Sequence, residues 1–335
     1  MDSLSRHVDS FLEHIRIERN YSVATEHSYR SALLLFLLSL EHSGSSVTDK
    51  GCVAAFIRFL RERGSSDLTI AHRLAVLKSF FSYLTGRRIV GKRALPVIDK
   101  YKTTRKVISI PSDDEVNRFL QSIEQDYRTA AERMAAAGKP NERLKARWYS
   151  LYRDLVLFSL IAATGLRISE ALHIQDADLN WTDFSIKILG KGSRERMIYF
   201  GIERLKLLLG ELVRMSKELA VESPYLFVSY QHRQPLTPRY VQKVMKRSLA
   251  NDADCSYTPH TLRHYYATRS IERGANIKAI ATLLGHANVG TTLKLYCHLS
   301  AQYLREVFET FNPFAAMTVS LEQAITNRYQ LLVNL

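Results

Sequence analysis

The sequence predicts a mainly α-helical protein with one small β-hairpin, divided into two domains. Its 335 residues are 46% apolar and 10% aromatic, which at roughly 100 to 200 residues per domain is enough for two cores. Apolar residues recur at helical spacing through most of the chain. Only one stretch alternates convincingly with a period of two, Phe184 to Leu189 and Arg194 to Phe200, joined through Gly190-Lys191-Gly192-Ser193. That pattern reads as a hairpin.

The same arithmetic excludes several classes. An apolar content this high rules out disorder of the whole chain. Cys52, Cys255 and Cys297 form no C-x-x-C pair, so neither a disulfide framework nor a zinc knuckle is expected. The longest apolar stretch, Ser31 to Leu40, falls short of the roughly 18 residues that span a bilayer. The first twenty residues mix charged and apolar positions without the apolar run of a secretory signal. A cytoplasmic protein without membrane partners is expected. The net charge of +14 points to a polyanion as partner.

In the first domain, 1–86, four helices follow in order. The first carries Val8, Phe11, Leu12 and Ile15, and the second runs from Ser22 to Glu41 before Ser43-Gly44-Ser45-Ser46. The third spans Thr48 to Arg63 and stops at Gly64; the fourth starts near Ser66, carries Leu74, Leu77, Phe80, Phe81 and Leu84, and stops at Gly86. Their polar faces hold Arg58, Arg61, Arg63, His72, Arg73 and Lys78, and a solvated face is the ordinary reading of such charges taken singly.

Residues 87–111 form an expected basic linker. Arg87, Arg88, Lys92, Arg93, Lys100, Lys102, Arg105 and Lys106 stand against the single acid Asp99, so half of the net charge lies here. Gly86, Gly91 and Pro96 interrupt any helical pattern, leaving a segment able to follow a phosphate backbone. A second domain, 112–335, opens with Ser112-Asp-Asp-Glu115. Those carboxylates suggest a metal cluster, but the spacing before Val116, Phe119, Leu120 and Ile123 is that of a capping box. A charged helical region from Gln121 to Arg147, broken at Gly138-Lys139-Pro140, precedes an apolar helix from Tyr149 to about Ala163. After the hairpin the chain reads as mostly helical.

Four segments carry residues suited to phosphate chemistry. In Thr164-Gly165-Leu166-Arg167-Ile168-Ser169-Glu170 a helix stops at glycine and Arg167 starts the next, with Glu170 placed to hold its guanidinium. Lys191 sits at the hairpin tip beside Lys187, Arg194 and Arg196. In Thr258-Pro259-His260-Thr261-Leu262-Arg263-His264 a capped helix start puts His260 and Arg263 on one face, beside free N–H groups that favour an anion. His260 and His264 have zinc-pair spacing, but no partner carboxylate follows the H-E-x-x-H pattern. His286 closes Leu283-Leu284-Gly285-His286, and Tyr296 follows ten residues later. A tyrosine among Leu293, Leu295 and Leu299 is more often core than catalyst. Together, two arginines, two histidines, a lysine and a tyrosine without a carboxylate cluster suit metal-free attack on a phosphodiester.

These motifs resemble the tyrosine recombinase (phage integrase) family, in its compact Xer-like form. TGLRISEAL matches the family at Arg167, GKGSRERMI at Lys191, TPHTLRHYYAT at His260 and Arg263, and LLGHANVGTTLKLY at His286 and Tyr296. LEHIRIERNYSVATEHSY and LTIAHRLAVLKSFFSYL resemble its helical core-binding, SAM-like domain, so that no separate arm-binding domain is expected before it.

The resemblance implies a two-domain DNA clamp whose 112–335 part is catalytic. Tyr296 would attack the scissile phosphate to give a 3′-phosphotyrosyl bond, Lys191 would protonate the leaving oxygen, and His260 would assist proton transfer. His286 would bond the phosphate, Arg167 and Arg263 would neutralise it, and Glu170 would buttress the site. No metal, ATP or other cofactor is implied. The partners implied are double-stranded DNA with inverted half-sites and three further copies in a homotetramer acting through a Holliday junction; accessory proteins are left open. Arg73, Lys78 and the basic linker residues would bind DNA, and the protein would be nucleoid-associated. The helical region 121–147 is expected to extend a helix pair at the domain's edge. The tail, with Leu321, Ile325, Tyr329 and Leu332 on one stripe, is expected to dock on a neighbouring protomer. The biological task stays open between mobile-element integration and excision, dimer resolution and cassette exchange. A type IB topoisomerase, relaxing DNA without a partner, and a DNA-binding protein without catalysis are the alternatives.

Overall fold

The computed structural model describes residues 2–91, 93–103, 109–190, 195–249 and 257–285. Contacts divide the chain into two units, Met1–Val107 and Ile108–Leu335. No described helix is long and apolar enough to cross a membrane.

Four helices build the first unit: α1 (Asp2–Ile17), α2 (Val23–Ser43), α3 (Cys52–Glu62) and α4 (Asp67–Gly86). Ser22 and Ser66 cap α2 and α4 by accepting the backbone N–H three residues on, and Gly44, at φ 64°, ends α2. Phe11, Phe36, Phe56, Leu60, Leu77 and Phe80 bury a common core. Helix α3 starts four residues later than the expected Thr48. The Asp49 carboxylate accepts the Ser46 N–H at 2.5 Å, and the resulting turn competes with helix there.

The segment after α4 differs from an extended linker. Leu95 and Ile98 are buried against the first core, and Tyr101 donates to Asp67 at 3.1 Å while accepting from Arg61 at 2.9 Å. Two apolar side chains and one tyrosine therefore hold the start of the basic segment to the helices, and the division between units, after Val107, falls within the expected linker 87–111.

In the second unit α5 (Asp113–Ala136) and α6 (Glu142–Thr164) are long. Ser112 and Glu115 make the capping box of α5, and Asn141 caps α6. Phe119 meets Phe158 edge to face and Tyr127 tilts against Tyr152, with centroids 5.0 and 4.8 Å apart. Rising numbers meet falling ones, so the pair is antiparallel. A short α7 (Ile168–Ala171) leads to an antiparallel sheet of β1 (Leu179–Asn180), β2 (Ser185–Leu189) and β3 (Glu195–Tyr199), in that order. Then come α8 (Glu203–Glu218), α9 (Pro238–Ser248), α10 (Pro259–Glu272) and α11 (Ile277–Leu283). The two-residue β1 is too short to announce itself by alternation.

Within the core α6 buries a charged pair. Arg153 and Asp154 are 1% and 2% exposed. Arg153 donates to Asp154 at 2.7 and 3.0 Å, to the Val228 carbonyl at 2.7 Å and to the Tyr240 hydroxyl at 2.7 Å. That hydroxyl in turn donates to Asp154 at 3.0 Å. Charges this deep persist only when paired and hydrogen-bonded throughout, and here the pair ties α6 to α9.

Candidate active site

The site grows from helix ends. Helix α6 stops at Gly165, which takes φ 64°. A Cβ there would lie 2.5 Å from Tyr266 and 2.6 Å from Leu284, so the turn needs glycine both for its backbone and for its space. Arg167 caps α7, and Glu170 reaches back to it, accepting the Arg167 backbone N–H at 2.9 Å and its Nη1 at 2.7 Å.

Pro259 opens α10 after Thr258, and one turn along, Arg263 is buried. Its Nη1 donates to the Gly165 carbonyl and its Nη2 to the Leu284 carbonyl, each at 2.7 Å. Arg167 Nη1 approaches the same Leu284 carbonyl at 3.5 Å. Both arginines thus rest on carbonyl ends of helices, α6 and α11, where the peptide dipoles favour a cation. The Arg167 side chain keeps 34% of its surface exposed, leaving N–H donors open to an anion.

His260 lies one turn before Arg263 on the solvent side of α10. Loss of solvation lowers its pKa, and the charges of Arg263 and Arg167 lower it further. His264 is lowered for the same leading reason, with His260 and Arg263 adding to it. A neutral imidazole beside two guanidinium groups is suited to accept a proton. For Glu170 burial acts upward, but hydrogen bonds from Arg196 and from the Arg167 N–H outweigh it and the net shift is downward. Glu170 is therefore an ionised carboxylate.

Of the residues expected to be catalytic, the structure brings together Arg167, His260 and Arg263, with Glu170 behind Arg167. Lys191, His286 and Tyr296 lie outside the described residues. So do Lys92, Arg105 and Lys106 of the basic segment. Arg88, Arg93, Lys100, Lys102 and Lys78 are exposed. Arg73 bonds Ser65 at 2.9 Å, and Arg87 pairs with Glu18 at 2.5 Å with its guanidinium 5.8 Å from the Tyr83 ring.

Two features escaped the sequence reading. Arg196 grips Glu170 from β3 with two hydrogen bonds, 3.0 and 2.8 Å. The signal was an arginine at the inward register of Glu195–Tyr199, two residues from the buried Ile198. Helix α9 turns Val241, Val244 and Met245 inward and leaves Arg239, Lys243, Lys246 and Arg247 exposed. An amphipathic helix with basic residues and no acid was legible from its spacing.

The N-terminal SAM-like domain of phage integrase matches residues 8–88, and the phage integrase family matches residues 113–303. The chain belongs to the phage integrase family and is a tyrosine recombinase of the Xer type, an enzyme that cleaves and rejoins DNA strands. Tyrosine recombinase XerD of Oceanobacillus iheyensis is 29% identical over 318 residues, covering 92% of this chain and 98% of that protein. Tyrosine recombinase XerC of Chlorobaculum parvum is 29% identical over 329 residues, covering 92% and 95%. In fold the chain is similar to the XerH site-specific recombinase in its pre-cleavage complex with difH substrate. The TM-score is 0.61 at 22% identity, covering 88% of this chain and 81% of that one.

Proposed function

We propose that Tyr296 is the nucleophile of a site-specific recombination reaction on duplex DNA, and that Arg167 and Arg263 hold the scissile phosphate. The observation that supports this most is the meeting of those two guanidinium groups on the Leu284 carbonyl, at 3.5 and 2.7 Å, two residues before His286 in the sequence. Negative charge grows on the nonbridging oxygens as the phenolic oxygen adds to phosphorus, and donors fixed beforehand stabilise that growth without reorganising. The phosphorus–oxygen bond to the 5′ side breaks, Lys191 protonates the departing oxygen, and the strand is held as a 3′-phosphotyrosyl ester. His260 assists proton transfer and His286 bonds the phosphate. The ester retains the energy of the original phosphodiester, so rejoining to a new 5′-hydroxyl needs no ATP.

The same reading assigns the exposed basic residues of 87–103 and the outer face of α9 to the DNA backbone. It takes inverted half-sites as substrate and a homotetramer as the active assembly, working through a Holliday junction in the cytoplasm, associated with the nucleoid. Integration or excision of a mobile element and resolution of chromosome dimers are both tasks of this chemistry.

Trapping on a nicked duplex tests it. The duplex carries the sequence that the protein selects from a random-sequence pool, and loss of the short 5′-hydroxyl strand leaves the covalent adduct stranded. Wild type is expected to accumulate the adduct and Tyr296→Phe to bind equally well without forming it. An adduct that persists in Tyr296→Phe rejects the assignment.

A further inference from the structure

We propose that Arg196 is a positioning residue of strand cleavage, acting on Arg167 through Glu170 and on the end of α11 through the Leu283 carbonyl. The proposal rests on the recombinase reading above. In β3, Arg196 pairs across from Ile188 and shares its face with Ile198, which is 1% exposed. The Arg196 side chain is itself 11% exposed and that of Glu170 7%. A guanidinium so placed is destabilising unless its donors are used. Arg196 uses all three nitrogens of the guanidinium: Nη1 donates to Glu170 Oε1 at 3.0 Å, Nη2 to Oε2 at 2.8 Å, and Nε to the Leu283 carbonyl at 2.9 Å.

Charge gives this arrangement its consequence. Arg167 and Glu170 alone would cancel, and the carboxylate would draw the Arg167 fork away from an incoming phosphate. Arg196 supplies the second cation. Glu170 can then orient Arg167 through Oε1 and its backbone N–H through Oε2, while the group of three retains a positive charge for an anion.

Space gives a second, independent link. Gly285 takes φ 64°, and a Cβ on it would stand 2.9 Å from Arg196 Nη1 and 3.0 Å from Cζ. The backbone one residue before His286 therefore lies directly against this guanidinium, and only glycine permits that approach. One side chain thus joins three segments: it belongs to β3, it holds the carboxylate that orients Arg167, and it bonds the Leu283 carbonyl and lies against Gly285 at the end of α11. A displacement near 1 Å at a reacting group is enough to slow chemistry about a hundredfold.

The test uses the full-length protein and the nicked duplex described above, measuring duplex binding and single-turnover adduct formation in parallel. Arg196→Gln is expected to bind within about twofold of wild type and to form adduct about a hundredfold more slowly. Glu170→Gln keeps an acceptor for the Arg167 N–H but removes the charge, so Arg196→Gln combined with Glu170→Gln is expected to recover about tenfold of the lost rate. Arg196→Lys, which keeps the charge without the fork, is expected to fall between wild type and Arg196→Gln. Should Arg196→Gln fail to fold, Arg196→Lys with and without Glu170→Gln carries the same comparison. Wild-type rates in the Arg196 variants overturn the proposal, and so does a double variant no faster than its Arg196 parent, because a merely structural ion pair gives no rescue. A wild-type protein that forms no adduct overturns the recombinase reading and this proposal with it. Adduct in wild type with unchanged Arg196 variants overturns the proposal alone.

Discussion

Arg263 donates from Nη1 to the carbonyl of Gly165, 98 positions earlier, at 2.7 Å. An arginine on α10 thereby seals the open end of α6. Its other terminal nitrogen, Nη2, seals the end of α11 at Leu284. The guanidinium is oriented before any phosphate reaches it, which is the condition for stabilising charge in a transition state rather than in the bound substrate.

Arg263→Lys tests that double anchor. An ammonium cannot span two carbonyls in the geometry of a planar fork, so one buried acceptor loses its partner at a cost of roughly 1 to 3 kcal/mol. Adduct formation should fall about 10²- to 10³-fold. Urea unfolding and the nicked-duplex assay measure the two effects, and a variant unchanged in both would remove Arg263 from the site.

Gly165→Ala should be severe for a residue with so small a change. Its φ of 64° and a Cβ 2.5 Å from the Tyr266 ring combine left-handed strain with overlap, together about 2 to 4 kcal/mol. Tyr266→Ala should relieve the Tyr266 part of the overlap and leave the clash with Leu284 and the backbone term, so the double variant is expected to be more stable than the two single costs added together.

Asp154→Ala should destabilise the second unit by roughly 3 to 5 kcal/mol, because it leaves Arg153 buried without its counter-charge. Tyr240→Phe removes one hydroxyl from the same network and should cost about 1 to 2 kcal/mol. Equilibrium unfolding that ranked the two in the opposite order would contradict the network as described.

Acidity supplies a further check. The fold lowers the pKa of His260 and His264 and so favours their neutral forms. Their contribution to stability is complete above the ordinary imidazole value, and is lost as pH falls through the lowered folded values. Adduct formation should hold its rate to a pH below about 6.5 before declining. A decline centred above that value in wild type, unchanged in His260→Gln, would separate His260 from proton transfer.

Much of this was legible in the chain. Helix starts at Ser22, Ser66 and Ser112 and stops at Gly44 and Gly165 are local events, in which a side-chain oxygen or a left-handed backbone acts within four residues, and spacing records them. Arg167, Glu170, His260 and Arg263 were likewise marked by their places at helix starts. Arg196 was not, because its role depends on a strand register and on Glu170, 26 positions away. Leu95 and Ile98 were hidden among basic residues, whose charge density suggested an extended chain although two apolar side chains suffice to dock it. The Arg153–Asp154 pair was masked by an apolar helix, since periodicity reports the face that is buried but not the partners that make a buried charge tolerable.

Helix α9 separates its inner and outer positions cleanly. Val241, Val244 and Met245 hold it in place, whereas Arg239, Gln242, Lys243 and Lys246 are exposed and contribute little to the packing. These four positions can be varied together while the scaffold keeps its stability, so the charge carried by this face is open to redesign without first repairing the fold.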